Sequence, residues 1–348
     1  MQNPTSSFES LKDLLTSAMP TKPVKSLNPD GSSLLRSLTT GTSPQLSNDN
    51  STSSKIINSI LPICSFKQPI YDYDFPTQLV TASEDYIAYV VNRKKVRLLS
   101  QANGNKGMMD HQKSARGSII SIAFKGNTLA SLTDEGELMI GNVYSQSKEL
   151  LGYEPIVSLT FPDLAPSRRV TWNEGSRRIM AIYGTGQSVF IVWLDPKPLA
   201  IELPHSLSSV KAVSFFNEGH SIAVSDSESI ECFSIEQETK NFTKIAQISF
   251  GSLIGCQRVC IFDDNDCDFV VGAIFDGKFW ACALNIGMEL KWIDSGLTFD
   301  MRRIDSLPMI YDKELSVFVI DGVSTGGFGI LGFKSDFSGL ALVLGKWS

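Results

Sequence analysis

A repeat of about 45 residues is the feature that most constrains the fold of this chain. Each unit has an apolar anchor, a polar turn, a strand, a second turn and another strand, as in the unit from Trp172 to Trp193. The six anchors recur at nearly constant spacing and are Val80, Phe124, Trp172, Phe215, Phe262 and Ile310. This period, with several short strands in each unit, predicts the blades of a β-propeller.

The periodicity also sets the domain organisation. A β-sandwich is the main alternative, but six regular units of several strands each exceed the seven to nine strands that a sandwich uses. The pattern predicts an all-β, seven-bladed WD40-like propeller over residues 66–348, with degenerate repeats and a composite last blade. Leu340 to Leu344 is expected to supply strands of that seventh blade and to pair with Ile70 to Phe75, closing the ring.

The repeats lack most of the WD signature. It survives only as Trp193-Leu194-Asp195, and no Gly-His pair precedes the blades. The hydrogen-bond network of regular WD blades is therefore expected to be incomplete.

Residues 1–65 have a different character and are predicted to be a disordered arm. Ser and Thr are so frequent in 1–55 that this stretch cannot bury enough apolar surface to offset its ordering entropy. Three apolar clusters with serine caps interrupt the arm and predict short helices. They comprise Phe8, Leu11, Leu14 and Leu15; then Leu34, Leu35 and Leu38; then Ile56, Ile57, Ile60 and Leu61.

Each cluster has two interpretations. Short amphipathic helices can be motifs that dock in a partner's groove. They can also be chance leucines, or helices docked on the chain's own domain. In the cluster at Leu34, Leu35 and Leu38, a serine cap, an apolar face and a stop at Gly41 coincide, as a docking motif requires. Neither interpretation is therefore favoured for this cluster. For the third cluster, self-docking is favoured.

The sequence contains no recognisable catalytic or metal motif. The six cysteines form no C-x-x-C pair, and no histidine lies near the group from Cys256 to Cys267. We therefore expect reduced cytosolic thiols, no metal and no cofactor. The acidic turns could converge at a mouth of the propeller and serve an enzyme, but turn aspartates usually cap turns. A non-catalytic protein is favoured.

Charge argues against a general nucleic-acid binder. The formal charge is −6 and the pI is near 5.2, whereas phosphate neutralisation needs a basic surface. Arg168-Arg169 and Arg177-Arg178 bracket one blade turn and are the candidate contacts for RNA phosphate or an acidic partner. The favoured interpretation is a solvated rim that balances Asp163 and Glu174, so direct contact with RNA is possible but not supported by charge.

The first blades resemble a known family. Ala88-Tyr89, then Gly117-Ser118, then Leu132-Thr133-Asp134-Glu135-Gly136 follow one another as in the propeller of the enhancer-of-mRNA-decapping-4 (Varicose) family. Arg168-Arg169-Val170-Thr171-Trp172 is similar to the segment that opens that family's next blade. The resemblance covers about residues 70 to 235 and fades afterwards.

The resemblance implies a cytoplasmic scaffold of mRNA decay in processing bodies. Its partners would be the decapping catalytic subunit, the activator of that subunit and LSm-domain decapping enhancers. Ser33 to Leu38 also resembles the leucine-rich helical motifs with which fungal decapping proteins bind LSm domains. Family members continue into a Ser-rich linker, coiled coils and a helical domain, so this sequence is expected to be either an N-terminal part or a truncated relative. An adaptor of another cytoplasmic pathway, such as trafficking or nuclear transport, is the alternative.

Overall fold

A computed structural model of the chain describes a β-propeller-like arrangement of strands. It describes residues 78–346 apart from 93, 111–116, 146–149, 161–166, 174, 177, 185–187, 196, 300–308, 314–315, 324–326 and 334–339. Beyond strands and turns, these residues contain a single 3₁₀ turn at Gly251–Leu253. The prediction of an all-β fold is confirmed.

The strands fall into six groups of four. In the first two groups the strands are β1 (Val80–Ala82), β2 (Tyr86–Asn92), β3 (Lys95–Ser100), β4 (Lys106–Asp110), β5 (Ile119–Lys125), β6 (Thr128–Thr133), β7 (Glu137–Ser145) and β8 (Leu150–Thr160). In the third and fourth they are β9 (Ser167–Trp172), β10 (Ile179–Gly184), β11 (Val189–Trp193), β12 (Leu199–Glu202), β13 (Ala212–Phe216), β14 (Ser221–Ser225), β15 (Ser229–Glu236) and β16 (Asn241–Ser249). In the last two they are β17 (Arg258–Asp263), β18 (Phe269–Phe275), β19 (Lys278–Leu284), β20 (Ile293–Thr298), β21 (Met309–Asp312), β22 (Val317–Val323), β23 (Gly327–Phe333) and β24 (Leu340–Lys346).

Within each group, consecutive strands pair antiparallel in chain order. We call the groups the first to the sixth sheet. The first and second sheets are continuous, because β4 and β8 pair in parallel at Lys106↔Leu150 and Gly107↔Leu151. Gly107 permits this approach, since a Cβ there would lie 2.8 Å from the Leu151 Cβ. Each of the six predicted anchors lies in the first strand of its sheet.

The apolar core lies between the sheets rather than within one of them. Five clusters of buried side chains join the first sheet to the second, the second to the third, and so on to the sixth. Polar bonds cross the same interfaces, since Val170 N donates to Ser121 Oγ over 3.1 Å and Trp172 Nε1 donates to Ala123 O over 3.0 Å. A four-stranded sheet with two apolar faces needs a neighbour on each side, and this stacking provides it.

One detail of the sequence interpretation is corrected. Leu340 to Leu344 does not form a seventh blade: it belongs to β24, which pairs with β23 as the fourth strand of the sixth sheet. Its apolar sequence fits either position, so the pattern could not distinguish them. Ile70 to Phe75 lies outside the described residues, as does the whole predicted arm. The blade count of seven stays a prediction, because the described residues form six sheets.

Candidate functional site

The turns that join the first strand of each sheet to its second strand form the most distinctive polar surface. Turns of neighbouring sheets contact one another: Asn173 Nδ2 donates to Gly219 O over 2.8 Å, and Asn265 Nδ2 donates to Lys313 O over 3.3 Å. We call this surface the first-turn rim, and it comprises the turns after β9, β13, β17 and β21. Its contacts lock the third sheet to the fourth and the fifth to the sixth.

The link between the third and fourth sheets centres on Asn173. The side chain is fully buried, and its Oδ1 also accepts a hydrogen bond from Gly175 N at 2.9 Å. A Cβ on Gly175 would collide with Glu218 O, so glycine is required for the two turns to approach. Asn217 and Glu218 both have left-handed backbones, with φ of 52° and 53°. Two successive left-handed residues make the tight turn that the twist of a hairpin favours, at some strain for Glu218.

The link between the fifth and sixth sheets centres on Asp264. The carboxylate is 7% exposed; its Oδ2 accepts a hydrogen bond from Tyr311 OH at 2.5 Å, and its Oδ1 accepts one from Asp266 N at 2.9 Å. Burial raises the pKa of Tyr311, and the hydrogen bond to Asp264 raises it further, so the phenol stays neutral and donates. Lys313 Nζ lies 3.3 Å from Asp263 Oδ2 beside this pair.

A pocket of about 610 Å³ lies between these turns. Its charged lining is mainly acidic: Glu218, Asp263, Asp264 and Asp268 outnumber Lys313. Most of these acids already have structural partners, since Asp268 Oδ2 accepts from Ile286 N at 2.7 Å in addition to the bonds of Asp263 and Asp264. The pocket is therefore a polar, acidic concavity whose carboxylates hold turns together, and it suits a cationic or hydrogen-bond-donating group.

The described arginines of the two predicted basic pairs lie in different environments. Arg169 lies half-buried in β9, where its charge and that of Arg258 act on Cys260 in β17. Arg178 is exposed, and its Nη1 pairs with Asp195 Oδ2 at 2.5 Å. The side chains of Arg168 and Arg177 lie outside the described residues, as do Asp163 and Glu174.

The remnant of the WD signature is incomplete, as the sequence predicts. Trp193 is 4% exposed, and its Nε1 has no hydrogen-bond partner among the residues that the structure describes. The ring packs against Phe242 at 5.7 Å, with Lys240 Nζ 6.0 Å from its centroid. Asp195 pairs with Arg178 instead, so the side chain of Trp193 is held by packing while its backbone pairs within the sheet.

Among the described thiols, Cys232, Cys256 and Cys282 are buried, and Cys260 and Cys267 are half-buried. Cys232, Cys256, Cys260, Cys267 and Cys282 are all free. Burial raises the pKa of Cys232, of Cys256 and of Cys260 to about 12, and it raises that of Cys267 and Cys282 further. Because the thiolate is the nucleophile, a raised pKa disfavours reaction of these thiols at neutral pH.

Several other sequence expectations bear on the site. The arm residues Phe8, Leu11, Leu14, Leu15, Leu34, Leu35 and Leu38 all lie outside the described residues.

Within the described parts of 78–346, no group of three or more His, Cys, Asp or Glu side chains is placed to hold a metal ion. No helix in the same residues is long and apolar enough to cross a membrane. The rim contacts of Asn173 and Asp264 were not predicted, although Asn-Glu-Gly and Asp-rich turns at fixed positions in successive repeats were their signal.

Comparison with solved structures identifies the fold. The WD40 domain of coronin from Toxoplasma gondii matches with a TM-score of 0.52 and 12% identity, over 78% of this chain and 72% of that one. A chain of the COPII outer coat vertex on membranes matches with a TM-score of 0.54 and 12% identity, over 74% of this chain and 73% of that one. A protein from Lactobacillus plantarum matches with a TM-score of 0.55 and 10% identity, over 77% and 83%. The chain therefore has a WD40-like propeller fold.

The sequence comparisons identify no family. The chain matches no protein-family model, and no curated protein matches its sequence. The fold is shown by shape alone.

Proposed function

We propose that this chain is a non-catalytic protein-interaction scaffold. The observation that carries the proposal is the use of the pocket's acids: Asp263, Asp264 and Asp268 are bonded to Lys313, Tyr311 and Ile286 N. Groups committed to holding turns are poor general acids or bases, because catalysis needs a carboxyl that can exchange its proton with a substrate. The rim thus offers a shaped acidic surface to a partner. Cys267 lines the pocket, but desolvation raises the pKa of its thiol, which disfavours the thiolate that a nucleophile needs.

The proposal extends to mRNA decapping and processing bodies in the cytoplasm. It rests on the resemblance to the enhancer-of-mRNA-decapping-4 family, and three of the four matching segments lie together in the structure. Ser118 N donates to Asp134 Oδ1 over 2.7 Å, and a Cβ on Gly117 would collide with the same carboxylate. Trp172 Nε1 donates to Ala123 O across the next interface. The Gly117-Ser118 segment therefore contacts the turn at Asp134 directly, and the strand that follows it contacts Trp172.

The partners follow from the same resemblance. In this proposal the arm motif at Leu34, Leu35 and Leu38 binds an LSm-domain decapping enhancer, and the propeller binds the decapping catalytic subunit and its activator. RNA is not the partner of the first-turn rim, because an acidic surface repels phosphate.

Calorimetry on the full chain tests the arm motif. Leu34→Asp with Leu38→Asp should abolish binding of a purified LSm-domain protein, because it places charge on the face that would enter an apolar groove. Ser37→Asp with Thr39→Asp is the matched control, since it adds the same charge without removing leucines. Unchanged affinity of the leucine variant would overturn this partner assignment.

A second candidate is an adaptor of trafficking or nuclear transport. The observation that favours it is the structural likeness to a chain of the COPII outer coat vertex. Co-purification of the tagged full chain from its native cells separates the two. Decapping subunits should dominate if the first proposal holds, whereas coat or transport proteins without decapping subunits would replace it with the second.

A further inference from the structure

Three successive sheets place a positively charged side chain near the start of their first strand. Arg169 is in β9, Lys211 directly precedes β13, and Arg258 is the first residue of β17. The first strands of a propeller line its central channel. These strands end at the first-turn rim, where Asn173 and Asn265 contact neighbouring sheets, so they begin at the other end of the channel. We call this end, with Arg169, Lys211 and Arg258, the basic entrance.

Two arginines of the basic entrance lie close to the same thiol. Val170 and Trp172 pack in the cluster between the second and third sheets, so Arg169, on the other face of β9, points away from that cluster and is half-buried. Arg258 is also half-buried. Burial raises the pKa of Cys260 to about 12, and the charges of Arg258 and Arg169 oppose that rise. The two charges therefore approach each other, although the fourth sheet separates their strands.

The positive charge of the basic entrance lacks a matching negative charge. Among the residues that the structure describes, no carboxylate forms an ion pair with Arg169 or Lys211. Asp226 lies beside Lys211, since Lys211 N donates to Ser225 O over 2.7 Å. However, its Oδ1 accepts hydrogen bonds from two backbone N–H groups of its own turn, at 2.7 Å and 2.9 Å. A half-buried charge without a partner costs free energy because it has lost part of its hydration.

We propose that Arg169 and Arg258 bind the oxyanion of a phosphate monoester at the basic entrance, with Lys211 as an additional charge. A guanidinium group can donate two parallel hydrogen bonds to a phosphate, and it stays charged at neutral pH. The channel wall excludes part of the solvent, so the attraction is stronger than on an open surface. The inference goes beyond the scaffold function, because it uses neither the arm motif nor the first-turn rim.

The surroundings of the basic entrance favour a single phosphate group over a polyanion such as RNA. The second strands run back from the first-turn rim, so the turns that follow them lie on the side of the basic entrance. These turns carry the exposed acids Glu135, Glu228 and Asp276. A chain of phosphates would meet these carboxylates, whereas one phosphate group on a small molecule or on a phosphorylated side chain would not.

Calorimetry of the full chain with inorganic phosphate at low ionic strength tests the site directly. Saturable binding is expected, and Arg169→Gln and Arg258→Gln should each weaken it by about tenfold or more, because each removes charge-assisted hydrogen bonds. Arg178→Gln is the matched control and should leave the affinity unchanged, since Arg178 is exposed and pairs with Asp195. The absence of saturable binding, or an equal loss in the control, would overturn the proposal.

Thermal unfolding distinguishes a binding role of Arg169 from a structural one. Without phosphate, Arg169→Gln should unfold at the same temperature as the unmodified chain or at a higher one, since it removes an unpaired charge. Added phosphate should raise the midpoint of the unmodified chain by about 2 °C more than that of the variant. This comparison removes the general stabilisation by phosphate salts. A clearly lower midpoint of the variant without phosphate would show that Arg169 stabilises the fold itself and would reject the site.

Two further probes identify the carrier of the phosphate group. A phosphoserine peptide with glycine on both sides represents a phosphorylated side chain, and glucose 6-phosphate represents a small molecule. The probe that binds more tightly than inorganic phosphate, and that loses affinity in Arg169→Gln, gives the source. A ten-nucleotide RNA that binds more tightly than both, with a steeper dependence on salt, would overturn the assignment to a single phosphate group.

Discussion

The strands β14 and β2 have similar sequences and different surroundings. Ser221–Ser225 lies in the fourth sheet and is buried at every position, between apolar clusters that face the third and fifth sheets. Tyr86–Asn92 lies in the first sheet, where Ala88 and Val90 are buried and the other described side chains are half-buried. An apolar strand sequence thus predicts burial on both faces of the strand. How far each face is buried depends on the sheets that pack beside it.

The same contrast extends to the turns. In the third sheet, Asn173 reaches across to Gly219 of the fourth sheet. In the first sheet, the β1–β2 turn uses its side chain locally, because Ser83 Oγ accepts from Tyr86 N at 3.2 Å. The middle sheets are thus tied to their neighbours by both core and rim. The first sheet is tied to the second by its core and by the β4–β8 pairing.

The largest expected effect comes from the core. Ile222→Ala should lower the free energy of unfolding by about 2–5 kcal/mol, because it leaves a cavity between the third and fourth sheets. Ile87→Ala makes the same change in β2, on the side of the first sheet away from the second, and should cost about 1 kcal/mol, since that side chain is only half-buried. Urea unfolding of both variants measures the two losses. Equal losses would mean that Ile87 is packed as tightly as Ile222.

The sequence predicted the part of the fold that repeats. The six anchors occupy the first strands, and the predicted strand–turn–strand segments occupy the second and third. The second strands of the middle sheets are buried at almost every position and keep an apolar pattern, which makes them the easiest to predict. The fourth strands were mostly missed. β16, for example, lies at an edge and alternates exposed with half-buried residues, so its sequence NFTKIAQIS carries a weaker signal. Strand β24 was predicted in the wrong blade, because an apolar pattern shows that a segment is a strand but not which strand it pairs with.

The second prediction concerns the rim. Asn173→Ala should cost about 1–3 kcal/mol, because it leaves Gly219 O and Gly175 N without their buried partner. Ser83→Ala is the control in the first sheet and should cost about 0.5 kcal/mol, since its hydrogen bond is local and half-exposed. The midpoint of urea unfolding distinguishes them. If the two variants lost the same stability, the link between the third and fourth sheets would contribute nothing beyond a local turn.

The candidate site was predictable only in outline. Acidic and glycine-rich turns at fixed positions in each repeat indicated a polar rim. Their pairing did not follow, because the approach of Gly175 to Glu218 O depends on how two blades stack, which no local pattern encodes. The arginine pairs illustrate the same limit. Arg169 and Arg178 are close in sequence, yet one lies in a first strand near Cys260 and the other pairs with Asp195 on the surface.

The smallest expected effect concerns a buried carboxylate in the fourth sheet that binds the segment leading into that sheet. Glu231 in β15 is 1% exposed, and its carboxylate accepts hydrogen bonds from Ser206 N at 3.1 Å, from Ser206 Oγ and from Lys244 Nζ at 2.8 Å. Ser206 belongs to the segment that leads into the fourth sheet. Burial raises the pKa of Glu231, but the hydrogen bonds from Lys244 and Ser206 outweigh it and hold the pKa below its usual value.

A lowered pKa in the folded state gives stability that is present above the unfolded pKa and lost as the pH falls through the folded pKa. Glu231→Gln keeps the volume of the side chain and removes the charge, so it should cost about 1 kcal/mol at pH 7. The difference from the unmodified chain should stay constant down to about pH 4.5 and shrink below it. Glu236→Gln, at an exposed position of the same strand, is the control for loss of one charge and should cost less than Glu231→Gln at pH 7. A constant difference between Glu231→Gln and the unmodified chain down to about pH 3 would show that the carboxylate is not held ionised. The fourth sheet would then lose one of the ties that set it apart from the first.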